Sequence, residues 1–227
     1  MKRLALGISL STLAVLVALP SLAHADTISI GVSIGGGPIT TIVSAANGAF
    51  PVAGTFSDGT FTFSYGATGS SLIPEPMFDS NSIDVNTGGA GAMTLYVTEQ
   101  GLSTPTGVNA FVSSFTTNSL TPGIASVAES TLINLGDGLF TGSLLSSVTV
   151  TTAGPTANIT AATPLLAAPY SETEKYVITA TRAGNTNDTI NIAAAPMAVP
   201  EPGSLGLLSS GLFGIGLLGL RRRKVTA

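Results

Sequence analysis

The segment Ser57-Asp58-Gly59-Thr60-Phe61-Thr62-Phe63-Ser64-Tyr65 indicates the fold of this chain. Its three aromatic residues stand at every second position, so a β-strand would place all of them on one face. Asp-Gly is a strong short-range signal for a β-hairpin, and the partner strand is expected at Val52 to Phe56. The segment therefore predicts a hairpin that turns one face toward an apolar core.

The same period of two recurs through residues 26–192. It is clearest from Thr27 to Ile34, where Ile and Val alternate with small or polar residues. A brief edge strand is expected at Ser82 to Val85, and Val108 to Thr117 reads as a strand in preference to a helix. Further strands are predicted at Ile39–Val43, Ala92–Thr98, Thr131–Leu135, Leu139–Thr141, Leu144–Thr151, Ala157–Ala161, Tyr176–Arg182 and Thr189–Ile192.

Nine to twelve short strands separated by turns predict an all-β fold, either an antiparallel β-sandwich or a jelly-roll-like domain. A β-solenoid is the rival, but no fixed repeat period supports it. Leu165 to Glu174 is the one stretch where a helical turn is expected. The polar clusters Thr98-Glu99-Gln100 and Asp137-Gly138 are expected in turns, and Gly136-Asp137-Gly138 is a second hairpin candidate.

The charge distribution is strongly uneven. Eleven of the twelve acidic residues lie between Asp26 and Asp188, where Lys175 and Arg182 are the only basic residues. Nucleic-acid binding depends on Lys and Arg that neutralise phosphates, so nucleic acid is excluded as a partner. Charged residues make up only 9% of the chain and hydrophobic residues 44%, which is enough to bury a core. The absence of cysteine excludes a disulfide framework.

Residues 1–25 have the pattern of a secretory signal peptide. The basic pair Lys2-Arg3 precedes an apolar run from Leu4 to Leu19, and Ala23-His24-Ala25 fits the small-x-small cleavage pattern. We expect export by the Sec route, with signal peptidase cutting between Ala25 and Asp26. An uncleaved signal anchor is the alternative.

The C-terminal segment has three unlike parts in a fixed order. Val199-Pro200-Glu201-Pro202 follows a linker at residues 193–198, and its prolines favour an extended backbone. Residues 203–220 carry no charge, and as a helix they would rise about 27 Å, close to the thickness of a bilayer core. Arg221-Arg222-Arg223-Lys224 would stop transfer and keep the end cytoplasmic. A C-terminal transmembrane helix is therefore predicted, as is an N-terminal signal helix.

This order of motif, apolar span and basic end resembles the PEP-CTERM sorting signal of exported proteins of Gram-negative bacteria. The resemblance covers residues 199–227 and implies recognition by exosortase, a membrane protease-transpeptidase, with cleavage near Pro200-Glu201-Pro202. It implies a transient inner-membrane anchor, followed by delivery to the cell surface or the medium. Such cargo is associated with exopolysaccharide-producing, biofilm-forming or floc-forming bacteria, so exopolysaccharide is an implied partner. A second copy, Ile73-Pro74-Glu75-Pro76, lacks the span and the basic cluster, and we interpret it as a loop.

The residue types available limit the possible chemistry. The single histidine, His24, lies in the predicted signal peptide, and the chain has no cysteine. Ser-His-Asp and Cys-His catalysis are therefore excluded, as are zinc sites built on His or thiolate. Paired carboxylates could still hydrolyse glycosides, but no spacing singles out a pair. The acids are expected to be solvated surface groups, and we predict no catalytic residue and no enzymatic activity.

One short segment contains the ligand type that Ca²⁺ prefers. Asp79, Asn81, Asp84 and Asn86 place four oxygen-bearing side chains within eight residues. The segment departs from an EF-hand loop, because Ile83 stands where an acid is expected and no Glu closes it. Asx residues in turns more often bond their own backbone. We predict no metal or other cofactor, and these four residues are the candidate set if calcium binds.

The sequence thus leaves three functions open. The first is an exported, non-enzymatic surface or extracellular-matrix protein, associated with biofilm or exopolysaccharide. The second is a carbohydrate-binding module, with or without calcium. The third is a secreted hydrolase that uses two carboxylates.

Overall fold

The structure is a computed structural model that describes residues 26–46, 51–69, 77–107, 110–154, 156–163 and 165–195. The predicted signal peptide and the whole segment from Val199 onward lie outside these ranges. The described residues form twelve β-strands and no helix. Accordingly, no helix within them is long and apolar enough to cross a membrane.

The strands account for most of the described body. In chain order they are β1 (Thr27–Ile34), β2 (Thr40–Ala46), β3 (Val52–Ser57), β4 (Phe61–Ala67), β5 (Phe78–Thr87), β6 (Gly91–Leu102), β7 (Ala110–Leu120), β8 (Ile124–Asn134), β9 (Ser143–Val150), β10 (Ala157–Ala162), β11 (Tyr170–Ala180) and β12 (Gly184–Ala195).

These strands form two antiparallel sheets of six strands each. The first sheet has the order β2-β1-β6-β11-β8-β9, and the second has the order β10-β7-β12-β5-β4-β3. Every pairing within both sheets is antiparallel. The two sheets pack as a sandwich, which confirms the predicted all-β fold.

The core lies between the sheets and is filled by every second residue of the central strands. Phe61 and Phe63 of β4 are buried, as are Met93 and Leu95 of β6 across from them. Burying one such side chain stabilises the fold by about 1.5–3 kcal/mol. Polar groups also enter the interior, and a chain of buried hydroxyls joins the sheets through Ser113, Thr131 and Ser146.

The predicted hairpin at Asp58-Gly59 is confirmed. At the second candidate the return strand is β9, so the strand predicted at Leu139–Thr141 is wrong. Ser57-Asp58-Gly59 leads from β3 into β4, and the Asp58 carboxylate accepts hydrogen bonds from the N–H groups of Thr60 and Phe61 at 2.9 and 2.7 Å. Gly59 has φ +92°, a conformation that a residue with a side chain rarely adopts. Gly136-Asp137-Gly138 lies in the connection between β8 and β9, which spans residues 135–142.

Three further local predictions were wrong. The brief edge strand at Ser82 to Val85 is part of the ten-residue β5, which lies inside the second sheet between β12 and β4. The expected helical turn at Leu165 to Glu174 instead runs into β11, because this strand pairs with β6 on one side and β8 on the other. β12 continues to Ala195, into the segment predicted as a linker.

Candidate functional site

The outer face of the second sheet is polar across its width. Its strands alternate buried and exposed positions, so every second residue points away from the core. Among the described residues, these outward positions hold no aromatic ring and no cation. Most carry an amide, a hydroxyl or a carboxylate: Thr62, Ser64, Asp84, Asn86, Ser114, Thr116, Asn118, Asn185, Asn187, Thr189 and Asn191.

Four of these side chains form a continuous hydrogen-bonded row, which we call the outer ladder: Ser64, Asp84, Asn187 and Asn118. The Asp84 carboxylate accepts from the Ser64 hydroxyl at 3.5 Å and from the Asn187 amide at 2.5 Å. The Asn187 carbonyl oxygen in turn accepts from the Asn118 amide at 2.7 Å. The row crosses β4, β5, β12 and β7, and at the usual strand spacing it is about 14 Å long.

Shorter pairs extend this polar surface toward both edges of the sheet. The Ser114 hydroxyl donates to the Asn158 side chain at 2.6 Å, and the hydroxyls of Ser57 and Thr62 lie 3.0 Å apart. An amide or hydroxyl that makes one such bond keeps further donor or acceptor capacity. The face therefore offers fixed, partly unused hydrogen-bonding groups to a ligand that carries many hydroxyls.

Two of the candidate calcium residues, Asp84 and Asn86, lie on this outer face. Asp84 is bonded to Asn187 and Ser64, Asn86 is exposed on the same strand, and Asp79 lies beyond the bulge of β5. The side chain of Asn81 lies outside the described residues. In the part of the chain that is described, no group of three or more His, Cys, Asp or Glu residues could hold a metal ion.

Most predicted processing residues lie outside the described ranges. These are Ala23 and Ala25 of the cleavage site, the motif Val199 to Pro202 and the basic cluster Arg221 to Lys224. Asp26, the expected first residue of the mature chain, directly precedes β1. The sorting assignment remains a prediction from the sequence.

The expectation that the acids are solvated surface groups is wrong for nearly half of them. Five carboxyl side chains have 0% exposed surface, and we call them the interior carboxyls: Glu99, Glu129, Glu172, Glu174 and Asp188. They occupy inward positions of β6, β8, β11 and β12, where they alternate with outward residues. The structure thus places these five acids in the core, although sequence reasoning expected them at the surface.

Period two was the signal that could have located these residues. Glu172 and Glu174 are in step with Tyr176 and Ile178 on β11, so a strand that buries the latter pair also buries the former. Glu99 was expected in a turn, but it lies within β6, directly opposite Glu172 of β11. Composition alone gave the wrong answer, because acids are rarely buried without partners.

Burial raises the pKa of three of the interior carboxyls, Glu129, Glu174 and Asp188. The pKa of Glu129 rises to about 8, chiefly through loss of hydration and secondarily through the nearby charge of Asp188. Burial also raises the pKa of Asp188 to about 6, although hydroxyl groups of Thr117 and Thr186 partly offset the shift. Thr186 makes a regular hydrogen bond to Asp188 at 2.9 Å, whereas Thr117 lies close without meeting hydrogen-bond geometry.

Glu174 belongs to a buried network with Ser80 and Tyr176. The Ser80 hydroxyl donates to Glu174 and lies 2.5 Å from the Tyr176 phenol oxygen. That oxygen also accepts the backbone N–H of Ile190 at 2.8 Å, which links β11 to β12 in the opposite sheet. Burial raises the pKa of Glu174 well above its usual value, against the effect of the Ser80 hydrogen bond.

The interior carboxyls do not form a glycosidase site. Hydrolysis of a glycoside needs two carboxyl groups on either side of a bound sugar. These five side chains have no exposed surface, so a sugar cannot reach them in this structure. The candidate functional site is therefore the polar outer face of the second sheet, whose side chains a ligand can reach.

The outer face of the first sheet differs in composition. Tyr96 and Phe140 stack there in a tilted arrangement with ring centroids 5.8 Å apart, and the Lys175 ammonium lies 5.6 Å from the Tyr96 ring centroid. Phe140 belongs to residues 135–142, which fold over this face and are anchored by a hydrogen bond from the Phe140 N–H to Thr98. A shallow hollow of about 350 Å³ lies beside it.

Comparison with known proteins gives distant structural likenesses only. No family model and no curated protein matches the chain. Similar solved structures include TmCBM61 in complex with β-1,4-galactotriose, at 11% identity and TM-score 0.35, covering 65% of this chain and 90% of that one. The enzymatically active domain of bacteriophage CBA120 tailspike protein 4 has 7% identity and TM-score 0.31, covering 76% and 20%. At TM-scores this low, neither likeness bears on the ligand or activity of this chain.

Proposed function

We propose that this chain is an exported, non-enzymatic surface or matrix protein whose β-sandwich binds polysaccharide through the outer face of its second sheet. The outer ladder carries the proposal. It presents aligned amide, hydroxyl and carboxylate groups along about 14 Å, and such groups match the hydroxyls of an extended sugar chain. Because this face has no aromatic platform within the described strands, binding depends on many weak hydrogen bonds and on repeated contacts along a polymer.

Charge narrows the class of polysaccharide. Between Asp26 and Asp188 the chain has eleven acids and two basic residues, and Asp84 stands in the middle of the outer ladder. A polymer rich in carboxylate or sulfate would be repelled by like charge. The proposed ligand is therefore a neutral polysaccharide.

Binding is tested with the full chain and a panel of insoluble neutral and anionic polysaccharides in a sedimentation assay. Asn187→Asp places a second carboxylate directly opposite Asp84, where like charges repel. We expect this variant to lose about tenfold or more in affinity for the neutral polymer that binds best, as one lost charged contact is worth about 1.4 kcal/mol.

The matched control is Thr179→Asp, which adds the same charge on the exposed outer face of the first sheet. It is expected to bind like the unmodified chain. Equal loss in both variants would assign the effect to net charge and contradict a site on the second sheet. Absence of binding across the whole panel would reject polysaccharide as the ligand.

The sorting part of the proposal rests on the C-terminal segment. Intact-mass spectrometry of the protein from the envelope and medium of its native host is expected to give a chain that starts at Asp26 and ends between Pro200 and Gly203. Retention of residues 203–227 in every fraction would make the segment a permanent anchor and reject exosortase cleavage. The second motif at Ile73 to Pro76 is the internal control, since no product is expected to end there.

A further inference from the structure

Among the described residues, no cation acts on Glu129, Glu174 or Asp188 in the interior of the sandwich. The described residues contain two basic side chains, and neither lies between the sheets. Lys175 stands over Tyr96 on the outer face of the first sheet, and Arg182 is exposed after β11. A buried carboxylate without a cation pays a desolvation cost of several kcal/mol, so such a group takes up a proton instead.

Two of the interior carboxyls approach each other from opposite sheets. Glu129 points inward from β8 beside Tyr176 of β11, and Asp188 points inward from β12 beside Thr117 of β7. The inward residues of β7 and β9 near Glu129 add no charged group. Within the described residues, neither oxygen of Glu129 and only one oxygen of Asp188 has a hydrogen-bond partner. Two carboxylates facing each other in this way cannot both be ionised at low cost.

The second group lies around Glu174. Its neighbours include Glu99 of β6, Glu172 of the same strand and Asp79 of β5, and each of their charges opposes ionisation of Glu174. One Glu174 oxygen accepts from Ser80, and the other has no hydrogen-bond partner among the described residues. Every titratable group that faces Glu174 is thus an acid or the Tyr176 phenol.

We propose that the sandwich is a proton-dependent fold, in which Glu129, Glu174 and Asp188 are neutral carboxylic acids and in which their ionisation loosens the packing between the two sheets. This inference does not depend on polysaccharide binding. It makes the compactness of an exported chain respond to the pH of its surroundings, with the compact form favoured by acid.

The direction of the pH effect follows from the raised pKa values. As the pH rises, the unfolded chain releases these protons first, so it binds fewer protons than the folded chain and the free energy of unfolding falls. The fall runs from pH 4.5 to about 8 for Glu129 and from pH 3.8 to about 6 for Asp188. Stability is highest below these windows and lowest above them.

The test is thermal unfolding of the full chain in a mild non-ionic detergent from about pH 5 to about pH 8.5. We expect the midpoint of the unmodified chain to fall by roughly 10 °C over this range. The double variant Glu129→Gln with Asp188→Asn keeps the shapes but cannot ionise, so its midpoint should fall by less than half as much and exceed that of the unmodified chain at the alkaline end. Asp137→Asn, in the connection between β8 and β9, is the control. The asparagine oxygen can still accept the N–H of Gly101, so this variant should keep the original pH dependence.

A midpoint that stays constant or rises with pH in the unmodified chain would overturn the proposal. Infrared spectra of that chain alone provide a second measurement, which does not require a variant to fold. A carboxylic acid band is expected to persist at about pH 6, above the usual carboxyl pKa. If only carboxylate bands remain at that pH, the interior carboxyls are ionised and the proposal fails.

A bound divalent cation is the competing way to neutralise these groups. Thermal unfolding at about pH 8 is therefore repeated with excess Ca²⁺ and with a chelator. The proton-dependent fold predicts the same midpoint in both. A large stabilisation by Ca²⁺ that the chelator removes would reject proton dependence in favour of a metal-dependent fold.

Discussion

The two faces of β12 place neighbouring, similar side chains in opposite environments. Asn187 faces outward, donates a hydrogen bond to Asp84 and remains in contact with water. Asp188, the next residue, faces inward with no exposed surface, and burial raises its pKa to about 6. The difference shows that the face of the sheet, rather than the residue type, determines whether a polar side chain keeps its contact with water or loses it.

The largest effect on stability is expected from placing a polar side chain on the inner face of β12 and an apolar one on its outer face. Ile190→Asn places an amide in the core and removes a fully buried side chain, so the free energy of unfolding should fall by about 3–5 kcal/mol. Asn191→Ile, one residue later on the outer face, should change it by less than about 1 kcal/mol. Urea unfolding followed by circular dichroism measures both. Similar losses in the two variants would contradict the assignment of faces on β12.

A smaller effect is expected from the interior hydrogen-bond network. Tyr176→Phe removes the oxygen that accepts the buried N–H of Ile190 and contacts Ser80, which should cost about 1–3 kcal/mol. Tyr65→Phe is the matched control on a half-buried ring, and it should change stability by less than about 0.5 kcal/mol. Denaturant midpoints compare the two. An unchanged midpoint for Tyr176→Phe would show that the network does not join the sheets.

The smallest effect is expected on the outer face. Asn187→Ala interrupts the outer ladder between Asp84 and Asn118, but water can replace both hydrogen bonds. We expect a loss of stability below about 1 kcal/mol, measured by urea unfolding. Thr160→Ala at the exposed edge strand β10 serves as the control. A loss as large as that of Tyr176→Phe would mean that the outer ladder is structural, and it would weaken the case for binding at this face.

Much of the fold could be predicted because period two is a local property. The alternation in Phe61 to Tyr65 and in Thr27 to Ile34 correctly predicted two strands and their buried faces. Asp58-Gly59 correctly predicted a hairpin. Strand bounds were less accurate where local cues conflicted. A helical turn was expected at Leu165 to Glu174 although Pro164 and Pro169 argued against it, yet pairing with both β6 and β8 keeps Tyr170 to Ala180 extended.

Only part of the candidate site could be predicted from the sequence. Asp84 and Asn86 were singled out as oxygen ligands, and they do lie on one polar face. Their actual partners could not be foreseen, because Asn187 lies 103 residues after Asp84 in the chain. Spacing along a sequence reports neighbours on one strand, whereas a sheet face is assembled from strands distant in the chain.

By itself, the sequence determined the all-β class, the excess of acidic residues and the absence of cysteine, because these follow from composition and local periodicity. Only the tertiary structure decided which acids are exposed to solvent and which are buried near one another in the core. The packing of β8 against β12 brings Glu129 toward Asp188 across the core, although the two residues are 59 positions apart. Burial depends on contacts between distant segments of the chain. No local sequence pattern shows that a carboxyl such as Glu129 is buried without a cation among the described residues.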